Sequence, residues 1–255
     1  MKIFRIYQRY SRYFIFLAGQ LALLCFLIVH SRHAYNRVIC QQIDIQIKDP
    51  HQQHLLTKEQ VLQNPLVRHC VSTIIHQPIK DVDVSLLINT IKTIPTIKQI
   101  TATKLWQGII KVDIETKCII ARIFDASYSP CYVDECGGII RTQPDQCFNI
   151  RILTGVSINS AQSIKEKYPE LLTLLQYIHH DKFLRYQITS IQLLENKKVI
   201  LGTQVGNQII EFGKIEHIKH KFEKLHIFYK DIIPYKGWGA YHRVNLEYHP
   251  QIICE

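Results

Sequence analysis

The longest uninterrupted apolar run lies at residues 13–29, YFIFLAGQLALLCFLIV, with no charge and one polar side chain, Gln20. As a helix it spans roughly 26 Å at about 1.5 Å per residue, close to a bilayer hydrocarbon core of about 30 Å. Tyr10 and Tyr13 suit the headgroup layer and Arg12 can snorkel, which covers the difference. Every face of the run is apolar, unlike a helix that rests one stripe on a protein core. The pattern therefore predicts a transmembrane helix over residues 13–30.

After a polar linker the period changes. Ile43, Ile45 and Ile47 alternate with Asp44, Gln46 and Lys48, the signature of a half-buried strand within residues 38–48. Thr57-Lys58-Glu59-Gln60 has the form of a capping box and opens a short helix expected to stop near Pro65. Val84, Leu87, Ile88 and Ile91 recur at helical spacing over residues 83–94, and Pro95 ends that helix. Residues 97–104 and 109–115 read as strands around Gln107-Gly108. The unit is thus strand, helix, helix, strand, strand.

Past Lys117 short strands dominate: residues 119–124 and 132–134, then 187–194, 198–202 and 207–212. A helix over residues 163–180, interrupted at Pro169, presents Leu171, Leu174, Leu175 and Ile178 on one face. A basic amphipathic helix follows over residues 215–233, then alternating strands at 242–248 and 251–254 split by Pro250. The expected fold class is α+β: one transmembrane helix, a three-stranded sheet with two helices, then a β-rich domain with flanking helices. The expected boundaries are 1–12 for a cytoplasmic tail, 13–30 for the anchor, 38–116 for the first domain and 117–255 for the β domain.

The net charge of +10 changes meaning once located. Lys2, Arg5, Arg9, Arg12, Arg32 and Arg37 face no acid within the first 37 residues, leaving a net +4 across the 218 residues beyond. That is an ordinary solvated surface, not a footprint for a phosphate backbone, so no nucleic-acid partner is expected. The four basic residues ahead of the apolar run place residues 1–12 in the cytoplasm and the remainder across the membrane. A cleaved signal peptide shares this start, but His30-Ser31-Arg32-His33-Ala34 offers no small-x-small cleavage site. An uncleaved anchor is the expectation.

Thirteen His and eight Cys call for a search for chemistry. Cys131 and Cys136, with Cys147 beyond, lack the second close pair of a structural zinc site. His217 and His220 sit three apart, but Lys214, Lys219 and Lys221 crowd the turn and read as a basic solvated face. His179-His180-Asp181 ends a helix, where cationic His suits the dipole. Gly155-Val156-Ser157-Ile158-Asn159 lacks the second Gly of a nucleophile elbow, and no Walker A, dinucleotide or H-E-x-x-H pattern occurs. No catalytic residue, metal or cofactor is expected, and no enzyme activity. What is left is interaction: the strand at 242–248 reads equally as an open edge able to accept a partner strand and as an edge blunted by Arg243, Glu247 and Pro250.

The layout resembles the FtsQ/DivIB cell-division family, in detail its Bacteroidetes-type members. Leu56-Thr57-Lys58-Glu59-Gln60-Val61 resembles the start of the first POTRA helix, and Tyr132-Val133-Asp134-Glu135-Cys136-Gly137 the family's YID-x-x-G segment. The C-terminal match runs through Asp181-Lys182-Phe183, Ile209-Ile210-Glu211-Phe212-Gly213, Lys221-Phe222-Glu223-Lys224-Leu225, Gly237-Trp238 and residues 241–248. The resemblance implies a non-enzymatic inner-membrane scaffold with a POTRA-like domain that links divisome proteins at the septum through a periplasmic domain. It implies FtsB- and FtsL-like bitopic partners. Partner binding would fall on Tyr241, Arg243, Val244, Leu246, Glu247 and Tyr248, where an FtsB strand is added. A Pro or a reversed charge at Val244 or Leu246 is then expected to abolish capture without unfolding the domain. The competing reading is a POTRA-bearing component of an export or outer-membrane assembly system.

Overall fold

The computed structural model describes residues 2–35, 37–124, 131–142, 148–158, 162–248 and 250–255, with the side chains of 2–15 and 33–34 excepted. The side chains of Tyr10, Arg12 and Tyr13, and the residues Cys147 and Asn159, therefore lie outside the described residues. The chain divides into two compact units, one of residues 1–48 and 56–115, the other of 49–55 and 116–255.

The first unit opens with helix α1 (Lys2–Tyr35). Phe16, Leu21, Phe26 and Val29 all lie exposed, as do the other described side chains of the apolar run. Among the described residues no helix is long and apolar enough to cross a membrane; within α1 those residues with described side chains are 16–32 and 35.

Strand β1 (Gln42–Lys48) follows, then helices α2 (Lys58–Gln63), α3 (Pro65–Ile74) and α4 (Val84–Lys92), and strands β2 (Ile97–Lys104) and β3 (Ile109–Thr116). The sheet order is β1-β3-β2, with β1 parallel to β3 from Gln42↔Ile109 to Lys48↔Glu115. The capping box at Thr57 forms: Gln60 N–H donates to Thr57 Oγ1 at 3.3 Å and Thr57 N–H to Gln60 Oε1 at 2.9 Å.

The helix opened at Thr57 ends at Gln63, near Pro65 as expected, but Pro65 has a second role. It opens α3, because a first-turn residue needs no N–H and Asn64 Oδ1 accepts from Leu66 and Val67. The unit therefore carries three helical segments after β1 where two were expected. Val61 and Val67 bury fully with Leu87, Ile91, Ile110, Val112 and Ile114 in one core.

The second unit contains a nine-stranded sheet: β4 (Ile119–Ile123), β5 (Cys131–Asp134), β6 (Ile139–Arg141), β7 (Ile152–Thr154), β8 (Ile188–Leu193), β9 (Lys198–Thr203), β10 (Ile209–Lys214), β11 (Arg243–Asn245) and β12 (Ile253–Cys254). Its order is β12-β11-β10-β9-β8-β7-β4-β5-β6. β7 lies parallel to both β4 and β8, and β10 is parallel to β11. The predicted helix over 163–180 splits into α5 (Ile164–Lys167) and α6 (Pro169–His180) at Tyr168. α7 (Leu184–Gln187) leads into β8.

The basic helix is also broken. α8 (Ile218–Ile227) passes into a π-helical segment (Phe228–Ile232) and then α9 (Ile233–Lys236), with Pro234 in the first turn of α9. Leu171, Leu174, Leu175 and Ile178 of α6 share one core with Phe222, Leu225, Phe228 and the sheet residues Ile191, Leu201, Ile210 and Phe212. A smaller cluster joins Leu55 to Ile119, Tyr132 and Ile140. Residues 49–55 reinforce it: Gln53 Nε2 donates to Ile119 O at 2.6 Å and Ile119 N–H returns to Gln53 Oε1 at 2.9 Å.

Candidate partner-binding surface

The surface expected to bind partners is built on β10. Ile209 and Ile210 face Arg243 and Val244 in register, and Glu211 faces Asn245. Glu211 holds β11 by side chain as well: it accepts from Arg243, and from Asn245 Nδ2 at 2.7 Å. The ion pair to Glu211 raises the already high pKa of Arg243, so its charge is fixed at any physiological pH. A bulge between Glu211 and Gly213 interrupts the β9–β10 ladder, and Gly213 takes φ +73° there. A Cβ on Gly213 would sit 2.3 Å from Glu247 Cγ, so this position admits the Glu247 side chain only because it is glycine. Glu247 then pairs with Lys198 at 2.9 Å.

α8 secures the same region from behind. The Lys224 ammonium donates to Leu246 O, Tyr248 O and Gln251 O at 2.8–3.0 Å. The Lys221 ammonium donates to Phe212 O at 2.9 Å and Lys214 O at 2.8 Å, and stands 4.7 Å over the Phe212 ring. Both are only 5% exposed, and burial lowers both pKa values. This corrects the reading of Lys221 as part of a solvated basic face. The bulge in β10 and the turn after β11 leave carbonyls without ladder partners, and each lysine satisfies a group of them.

The expected site residues separate into two sets. Val244 and Leu246 are fully buried in the core. A charge or proline at either would break packing, so the expectation that such variants stay folded is overturned. Arg243 and Tyr248 are exposed, while Tyr241 and Glu247 are partly covered.

The strand expected over 242–248 is only three residues long, and its outer side is taken. β12 pairs antiparallel at Val244↔Cys254 and Asn245↔Ile253, while His242 N–H and Arg243 N–H both donate to Glu255 O. β12 thus forms the sheet flank, and Ile253 on it is 40% exposed. Residues 251–254, expected as a strand, thus form the outermost strand of the sheet, outside the one expected over 242–248. Alternation carries no information on which of two adjacent short strands lies outermost.

The same unit also contains a cavity of about 800 Å³. Arg151 and Arg185 line it with His51 and His179, and no acid does so among the described residues. Arg151 is buried, donating to Ile120 O at 2.7 Å and Arg185 O at 3.1 Å. Burial, then the neighbouring Arg185, bring its pKa down to about 10.

The chain thus carries a small three-stranded α+β unit and a larger β-rich unit. Residues 38–115 match the model of a POTRA-like domain, and residues 119–255 match the model described as FtsQ/DivIB, C-terminal related. The chain belongs to the FtsQ/DivIB family, a family of non-enzymatic, membrane-associated division proteins. No curated protein matches it.

Proposed function

We infer that this protein is a bitopic inner-membrane scaffold of the divisome, anchored by residues 13–30 and active through its periplasmic β domain. The carrying observation is the family match over residues 119–255 together with a sheet flank closed by only two residues of β12. An FtsB-like partner strand adds outside β12 or takes its place beside β11, and an FtsL-like protein joins through that partner. Main-chain pairing supplies affinity in this mode and exposed side chains supply specificity; here those are Arg243, Tyr248 and Ile253. The exposure of the apolar side chains described in α1 supports the anchor, and anchoring concentrates similarly anchored partners around a modest binding edge.

The test is co-purification from dividing cells. Ile253→Asp and Tyr248→Ala, both at exposed positions, are expected to lower recovery of the FtsB-like partner at least tenfold while the melting temperature stays within about 2 °C. Undiminished recovery sinks the edge-strand reading. The POTRA-like match taken alone also suits an export or outer-membrane assembly component. A fluorescent fusion spread evenly over the envelope, in place of a midcell band, would select that reading.

A further inference from the structure

Three potential metal-ligand side chains converge in the second unit from distant parts of the sequence. His51 lies in the 49–55 segment, Cys118 immediately precedes β4, and His179 is in the last turn of α6. One ligand atom from each, a ring nitrogen or the sulfur, lies within 4.8 Å of the other two. Cys118 Sγ and His179 Nε2 are 3.4 Å apart. A tetrahedral ion with bonds of about 2.3 Å to sulfur and about 2.0–2.1 Å to nitrogen separates such a pair by about 3.5 Å. Cys118 is a free thiol, and Cys118 and His179 are buried while His51 is partly open. A thiol–imidazole hydrogen bond accounts for the 3.4 Å contact alone. It does not account for a third ligand side chain brought to the same point.

From this geometry we propose that His51, Cys118 and His179 form a binding site for a single zinc-class transition ion. The mixed nitrogen and sulfur set suits zinc and disfavours magnesium or calcium, which take oxygen. Three protein ligands leave a fourth position, and His51 and His179 both line the cavity. That position takes water or a small anion, since Arg151 and Arg185 stand on the cavity wall and, among the described residues, no acid does. Asp49 and Glu135 face Cys118 along with those two arginines, so the charges around the sulfur balance. Binding forms one metal–sulfur and two metal–nitrogen bonds, and the Cys118 proton leaves to solvent. The ion would act as a clip. It ties the 49–55 segment to β4 and α6, closing loops of 67 and 61 residues, where a cross-link most restricts the unfolded chain.

The test is titration of the full-length chain, in detergent and under non-thiol reductant, with Co(II) as a spectroscopic probe and then Zn(II). One equivalent of Co(II) should give a thiolate-to-metal charge-transfer band with tetrahedral ligand-field bands, and Zn(II) should bleach both. Cys118→Ser should abolish the charge-transfer band, and Cys136→Ser, at an exposed thiol, should leave it intact. His51→Ala should weaken Co(II) binding at least tenfold with an unchanged far-ultraviolet circular dichroism spectrum. This variant guards against misfolding at the buried cysteine. Absence of a band with up to several equivalents overturns the proposal, as does a band that survives Cys118→Ser or is indifferent to His51→Ala.

Discussion

Asp181 shows how one carboxylate joins two elements and makes stability depend on pH. It accepts from Phe183 N–H and Leu184 N–H at 2.9 Å each and from His226 Nε2 at 2.9 Å. Burial alone would raise its pKa, but those hydrogen bonds outweigh it and hold the group below the usual aspartate value. The folded pKa is thus lower than the unfolded one. The stabilisation is fully present above the ordinary range near about pH 4 and is lost as pH falls through the depressed folded value. Asp181→Asn is expected to cost about 1–2 kcal/mol at pH 7. The gap from wild type should narrow as urea midpoints are followed from about pH 5 towards pH 3. At this scale the sequence was only partly legible. The capping role of Thr57 follows from its place ahead of apolar periodicity, and the cap forms. The burial of Lys221 and Lys224 could not be read, because the carbonyls that bind them belong to a bulge and a turn remote in sequence.

Elements with a clean period were the legible ones. β2, β3, β8 and β9 lie within a residue or so of where alternation places them, since a face buried on one side imposes period two. β6 and β7 were missed. Each has three residues, too few to show a period. The flank strand depends on one backbone exception, Gly213. Gly213→Ala would force a Cβ into left-handed backbone and against Glu247, with an expected loss of about 1–3 kcal/mol in thermal or urea denaturation. Adding Glu247→Ala should recover only the steric share of that loss, leaving the conformational share, and a double-mutant cycle separates the two.

For the whole molecule, the division into a small three-stranded unit and a larger β-rich unit was legible as strand and helix order. The path of residues 49–55 was not: a polar septet with one leucine carries no period, and its place is set by Leu55 and Gln53 finding β4. The two tryptophans provide separate reporters, Trp106 in the first unit and Trp238 in the second. Leu55→Ala is expected to destabilise the second unit by about 2–5 kcal/mol. The midpoint read from Trp238 in a Trp106→Phe background should fall, while that read from Trp106 in a Trp238→Phe background should shift much less.

The excursion of residues 49–55 also governs how the protein can be taken apart. Neither unit is a contiguous stretch of chain, so no single cleavage and no single truncation boundary yields either one whole. A fragment begun at residue 116 would lack the leucine that fills its small core cluster and the glutamine that pairs with Ile119. The two units therefore cannot be exchanged between proteins as simple cassettes. Any gene-level transplant of the second must carry seven residues from the middle of the first.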